Sequence, residues 1–155
     1  MAGVVVGKKI PAFKVPSTGG GTVAGKDLLG SPYVLYFYPK DDTPGCTQEG
    51  HDFRDHFAAF KRRGVRVFGV SRDSVASHEK FKAKHGFPFD LLSDSDEALC
   101  KLFDVIKQKN MYGRKVLGIE RSTFLIDPKG VLRNEWRKIK VNGHVAAVLA
   151  AAETL

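Results

Sequence analysis

Cys46 stands in the run "TPGCTQEGH", a few residues after an apolar stretch that ends at Pro39. Thr43 followed by Pro44 is a helix-start signal: threonine caps through its hydroxyl, and proline is tolerated at the first helical position. Cys46 therefore falls in a first turn, where backbone N–H groups are unpaired and the positive end of the dipole points outward. Both features favour a thiolate, and the thiolate is the attacking form of cysteine. Sites in open α/β sheets gather beyond the carboxyl ends of strands, and Cys46 follows such an end. The residues alone leave two readings: a small apolar filler, since unpaired cysteine is often buried, or a nucleophile.

Several elements must position this cysteine. The run "YVLYFY" (33–38), bounded by Pro32 and Pro39, reads as a buried central strand. Residues 46–61 read as one helix with Phe53, Phe57 and Phe60 on one face, stopped at Gly64. "VRVFGV" (65–70) is the next strand, so the unit implies a parallel pair with a right-handed crossover. Ser74 caps a helix to about His85, closed by Gly86, and Asp94 or Ser95 caps another to about Phe103. "RSTFLID" and "VLRNEW" form an antiparallel hairpin across "DPKG". An Ala-rich helix closes the chain, with Val145, Val148, Leu149 and Ala152 on one face. Near the N-terminus, "AFKV" and "TVAG" flank a loose hairpin connection, while "QKNMYGRKVLG" reads as a wide basic loop. The expected fold class is α/β, a mixed central sheet flanked by helices with an N-terminal hairpin, compatible with a thioredoxin-like fold in one domain over 1–155.

Bulk properties narrow the function classes. The net charge of +8 comes from 25 basic and 17 acidic side chains. The basic residues are scattered, and the densest clusters, "KRRGVR" and "RKIK", read as solvated faces with no specific nucleic-acid role. No apolar run approaches the ~20 residues of a membrane span. The start of the chain lacks the pattern of a signal peptide. Two cysteines are too few for a disulfide scaffold, so a reducing cytoplasm is the expected location. His51 and His56 do not share a helix face, so no metal site is expected, and all five histidines read as ordinary polar residues.

The segment "FYPKDDTPGCTQE" resembles the active-site segment of peroxiredoxins, above all the branch of bacterioferritin comigratory proteins, or Q-type peroxiredoxins. The family pattern of proline, three residues, threonine, two residues, cysteine falls on Pro39, Thr43 and Cys46. "ERSTFLIDPKG" resembles the strand that carries the family's arginine, which puts it at Arg121. The resemblance spans nearly the whole chain. It implies a thiol peroxidase that reduces hydrogen peroxide and organic hydroperoxides without metal or bound cofactor. In that reading Cys46 attacks the terminal peroxide oxygen and becomes a sulfenic acid. Arg121 stabilises the thiolate and the leaving oxygen. Thr43 offers its hydroxyl to the peroxide, and Pro39 packs over the sulfur to keep water out. Amides near Gly45 and Cys46 supply further donors, and Glu49 orients the arginine.

Many members of this branch carry a resolving cysteine five residues after the reactive one; here that position is His51. Others carry it in the following helix, where "EKFKAKHG" holds none. Cys100 remains, at the flank of a stripe made by Leu99, Leu102, Phe103 and Ile106, half-buried and inert in this reading. The expectation is a one-cysteine enzyme reduced by an external thiol: thioredoxin, glutaredoxin or glutathione. The alternative is a two-cysteine peroxidase with Cys100 as the resolving residue, although a disulfide needs Cα atoms within about 7 Å. The basic loop is expected to help admit the reductant, and monomer and dimer both stay open. A disulfide oxidoreductase of thioredoxin type needs Cys-x-x-Cys, and position 49 is glutamate. A nucleic-acid module needs basic and aromatic residues gathered on one face, a pattern not visible in this sequence.

Overall fold

A computed structural model describes residues 4–155, apart from the Met111 side chain. In chain order the elements are β1 (Lys14–Ser17), β2 (Gly21–Ala24), β3 (Tyr33–Phe37), α1 (Pro44–Asp55), α2 (Phe57–Arg62), β4 (Arg66–Ser71) and α3 (Val75–His85). Then follow β5 (Asp90–Ser93), α4 (Ala98–Leu102), β6 (Ile106–Met111), β7 (Arg114–Ile119), β8 (Ser122–Ile126), β9 (Leu132–Trp136) and α5 (His144–Ala152).

The apolar run of β3 is buried along its whole length. It pairs in parallel with β4, Leu35 opposite Phe68, and antiparallel with β8, Leu35 opposite Phe124. The sheet order is β2-β1-β5-β4-β3-β8-β9, which makes it mixed, as expected. Side chains alternate across a strand, so β3 feeds two cores. Tyr33, Leu35 and Phe37 pack with Leu99, Cys100 and Phe103 on one face. Val34, Tyr36 and Tyr38 pack with Cys46, Phe53 and Phe60 on the other. The two cysteines thus lie on opposite faces of the sheet.

Four local expectations need correction. The N-terminal hairpin is tight: Ser17 pairs with Gly21, and Gly19 and Gly20 turn the chain at positive φ. The helix expected over 46–61 breaks at His56, whose ring Nδ1 bonds to the carbonyl oxygen of Asp52 at 2.8 Å. The helix expected from Asp94 or Ser95 begins only at Ala98; the buried Asp94 carboxylate accepts from the Leu99 and Cys100 amides at 2.9 and 2.6 Å. Finally, the wide basic loop is a regular antiparallel hairpin, β6 on β7, turned by Tyr112 and Gly113, both at positive φ. Such a two-residue turn matches the twist of its strands.

Candidate active site

The end of β3 delivers the chain to Pro39, half-buried, and a short loop then enters α1. Thr43 is the helix N-cap by backbone geometry, with Pro44 in the first turn. Its hydroxyl does not cap, contrary to expectation, but donates to the Lys40 carbonyl at 2.8 Å. Helical pairing starts with the Thr47 amide, which donates to the Thr43 carbonyl at 2.8 Å. The amides of Gly45 and Cys46 precede it and belong to the donors a helix leaves unpaired. Cys46 is 2% exposed at this helix mouth.

Arg121 arrives from across the sheet. Phe37 pairs with Ser122, so the residue before β8 lies beside the exit of β3. The guanidinium divides its donors: Nη2 donates to Cys46 Sγ at 3.4 Å and Nη1 to Glu49 Oε1 at 2.7 Å. Gly45 makes room for it, since a Cβ there would lie 3.1 Å from Nη2. Burial favours the neutral form of Arg121, but the charges of Glu49 and Cys46 outweigh it and raise its pKa. Glu49, 0% exposed, is pushed up by burial to about 7 against the lowering pull of Arg121. Its Oε2 and the hydroxyl of Tyr36 are buried without a hydrogen-bond partner among the described residues. A carboxyl that holds a proton near neutrality lowers the cost of that isolation. The Lys109 ammonium bonds to the Ile119 carbonyl, and burial, with Arg121 adding, lowers its pKa. A sulfur that accepts from a guanidinium at a helix mouth with unpaired first-turn amides is suited to nucleophilic attack and to charge developing on a leaving oxygen.

A groove of about 490 Å³ runs past this mouth, lined by Pro44, Gly45, Gln48, His56, Val141 and Val145. Cys100 is distant in environment. It is fully buried, not half-buried as expected, and burial together with Asp94 pushes its thiol far above the ordinary range. Helix α4 is too short for the expected stripe; Leu99 and Cys100 face the core together, and Ile106 belongs to β6.

Two histidines are not the ordinary polar residues expected. His78 is 0% exposed and His144 7% exposed. His144 Nε2 meets Thr123 Oγ1 at 2.9 Å, and burial, with Arg121 adding, pulls its pKa down to about 4. His51, at the position of the missing resolver, meets His85 Nδ1 at 2.9 Å. Ligand atoms of Asp41, Asp73 and His78 come within 4.8 Å of one another. Protein donors and acceptors already engage the Asp41 and Asp73 carboxylates and both ring nitrogens of His78, which accounts for the cluster without a cation. Asp41 and His78 escape sequence reasoning because no motif spacing links them.

Comparison with known proteins places this geometry. The model of the AhpC/TSA family matches residues 6–135. A relative named peroxiredoxin Bcp, from Xanthomonas campestris pv. campestris, is 64% identical over 118 residues, 76% of this chain and 74% of that protein. A Xanthomonas campestris bacterioferritin comigratory protein, solved to study its alkyl peroxide reduction activity, superposes with a TM-score of 0.88 at 54% identity, covering 92% of this chain and 90% of that one. A cysteine-to-serine mutant of Xylella fastidiosa PrxQ gives a TM-score of 0.93 at 44% identity, covering 99% and 98%. The fold is thioredoxin-like, as the order of elements along the chain suggests.

Proposed function

Because the chain belongs to the AhpC/TSA family and is a peroxiredoxin, a thiol peroxidase acting on hydroperoxides, we propose that it works as a one-cysteine enzyme centred on Cys46. Its substrates are hydrogen peroxide and organic hydroperoxides, including alkyl peroxides of the kind reduced by its Xanthomonas relative. The thiolate attacks the terminal oxygen, an S–O bond forms and the O–O bond breaks. Sulfur gives up two electrons, and the leaving oxygen departs as water or alcohol after taking a proton. Arg121 holds the thiolate and the developing charge, Thr43 and the first-turn amides hold the peroxide oxygens, and Pro39 shields the sulfur. Glu49 positions the guanidinium. The groove beside Pro44 and Val145 takes the organic part of the larger substrates.

The observation that carries this reading is the shared guanidinium, 3.4 Å from Cys46 Sγ and 2.7 Å from Glu49. An external thiol, from thioredoxin, glutaredoxin or glutathione, then condenses with the sulfenic acid, releasing water, and a second thiol releases Cys46. What supports one cysteine over two is the sheet itself: Cys100 packs in the core on the face away from Cys46. The enzyme acts as a single domain in a reducing cytoplasm; among the described residues no helix is long and apolar enough to cross a membrane. The test is peroxide consumption with excess dithiol. Cys46→Ser is expected to abolish it and Cys100→Ser to retain it; loss of activity in the second variant while it stays folded overturns the one-cysteine reading.

A further inference from the structure

The loop between β3 and α1 is tied to α3 by a buried hydrogen-bonded pair, and we propose that this pair, Asp41 with His78, is a latch that holds Cys46 in its peroxide-reactive position and sets how readily the sulfur opens to a reducing thiol. The proposal rests on the peroxidase reading of Cys46.

Both ring nitrogens of His78 face acceptors: Nδ1 lies 2.7 Å from Asp41 Oδ2 and Nε2 2.9 Å from the Leu92 carbonyl. A carbonyl only accepts, so Nε2 carries a hydrogen, and the Nδ1 contact needs a second. Tyr38 donates its hydroxyl to Asp41 Oδ1 at 2.6 Å, and Ser77 donates to Oδ2 at 2.8 Å. That second hydrogen lies between Nδ1 and Oδ2, so Asp41 gathers Tyr38, Ser77 and His78 on one carboxyl, and His78 joins it to the Leu92 carbonyl of β5. The Asp41 amide donates to Asp73 Oδ2 at 2.9 Å, which also accepts from the Ser71 hydroxyl. Asp41 is 8% and His78 0% exposed. A buried network whose polar groups are all paired fixes one arrangement, because any shift strands a buried polar group.

The position of the latch gives it consequence. Asp41 sits in the loop that carries Thr43 and leads into Cys46. The next residue, Asp42, is held at φ 61 by Lys84 and His85 on the outer side of α3, where solvent weakens the tie. His85 also meets His51 of α1, so α3 grips the chain both before and after Cys46. The sulfur is 2% exposed. A hydroperoxide needs to bring only its terminal oxygen to it, whereas a second thiol must bring a whole sulfur-bearing group in line. That requires the first turn of α1 and its leading loop to move outward. Whatever binds Asp41 in the closed form alone therefore shifts the balance between attack and recycling. Neither latch residue contacts Cys46, so both are positioning residues.

His78→Gln keeps one amide donor but loses the ability to reach Asp41 and Leu92 together. Ser77→Ala removes one donor and leaves the Asp41–His78 contact. Folding of each is checked by thermal unfolding. Two rates are then read from intact mass: oxidation of Cys46 by hydrogen peroxide without reductant, and capture of the preformed sulfenic acid by glutathione as a mixed disulfide. His78→Gln is expected to oxidise about tenfold more slowly and be captured about tenfold faster, as a shift toward the open form dictates; Ser77→Ala moves both about twofold in the same directions. Any other pattern in a folded variant, including equal losses from general loosening, overturns the latch alone. If His78→Gln does not fold, Ser77→Ala decides by the same opposite movement. Wild-type protein that gains no oxygen at Cys46 overturns the peroxidase reading, and the latch with it.

Discussion

Replacing Arg121 with alanine separates what the guanidinium does for the fold from what it does for the reaction. Nη1 binds a Glu49 carboxyl that is fully buried, while Nη2 binds the Cys46 sulfur. Without the arginine an ionised Glu49 has no partner, and breaking a buried pair in this way costs about 3–5 kcal/mol. Glu49 already titrates at about 7 because burial outweighs Arg121, and removing Arg121 moves it higher. Its folded value lies above its ordinary 4.5. Its contribution to stability is therefore fully present below about 4.5 and is lost as pH rises through the folded value. The penalty of Arg121→Ala is accordingly small near pH 5, where Glu49 is protonated in both proteins, and largest above about pH 8. Adding Glu49→Gln removes the titrating group, restores most of the stability at high pH and flattens the difference. It does not restore the rate, because losing one preorganised donor of this kind costs about 10²–10³-fold. Urea unfolding of the reduced proteins across this pH range, with single-turnover peroxide consumption, reads both quantities. A pH-independent loss of stability would mean that Glu49 does not set it, and recovery of rate in the double variant would mean that Arg121 gives the reaction no donor of its own.

Two further outcomes follow from the surroundings of the site. His144 is depressed to about 4 from 6.5 by burial, with Arg121 adding. Its contribution to stability is present above about 6.5 and lost as pH falls through about 4, on the order of 3 kcal/mol at the acid end. His144→Asn should flatten that acid limb in thermal unfolding; an unchanged limb removes His144 from the explanation. On the β6–β7 hairpin, Arg114→Ala with Lys115→Ala should slow reduction of the oxidised enzyme by an acidic thiol protein about 2–10-fold at low salt and leave peroxide attack intact. Lys109 is left in place because it lies within the field of the Cys46 sulfur. Recycling that does not change with these substitutions frees the hairpin from any docking role.

The strands that build the site are legible in the sequence because burial on both faces writes itself as an unbroken apolar run, as in "YVLYFY". The start of α1 is legible from Thr43 and Pro44, although the hydroxyl of Thr43 turns back to Lys40 and leaves the capping to the backbone. The β6–β7 hairpin is not legible. Its strands carry lysines and exposed positions on a two-stranded ribbon, so no alternation marks them, and Tyr112 occupies a left-handed turn position usually given to asparagine or glycine. β5 escapes for a different reason: "DLLS" is short, and parallel pairing with β4 supplies what its own pattern lacks. The Asp41–His78 pair is invisible because its partners are 37 residues apart and only the packing of α3 on the loop brings them together.

Intact-protein mass after one equivalent of hydrogen peroxide separates a one-cysteine from a two-cysteine reaction. A one-cysteine enzyme gains a single oxygen on the peptide that contains Cys46, and with a sulfenic-acid trap present during oxidation that peptide carries the trap's adduct instead. A loss of two hydrogens, with Cys46 joined to Cys100, would instead mean a two-cysteine enzyme whose disulfide forms between the two faces of the sheet.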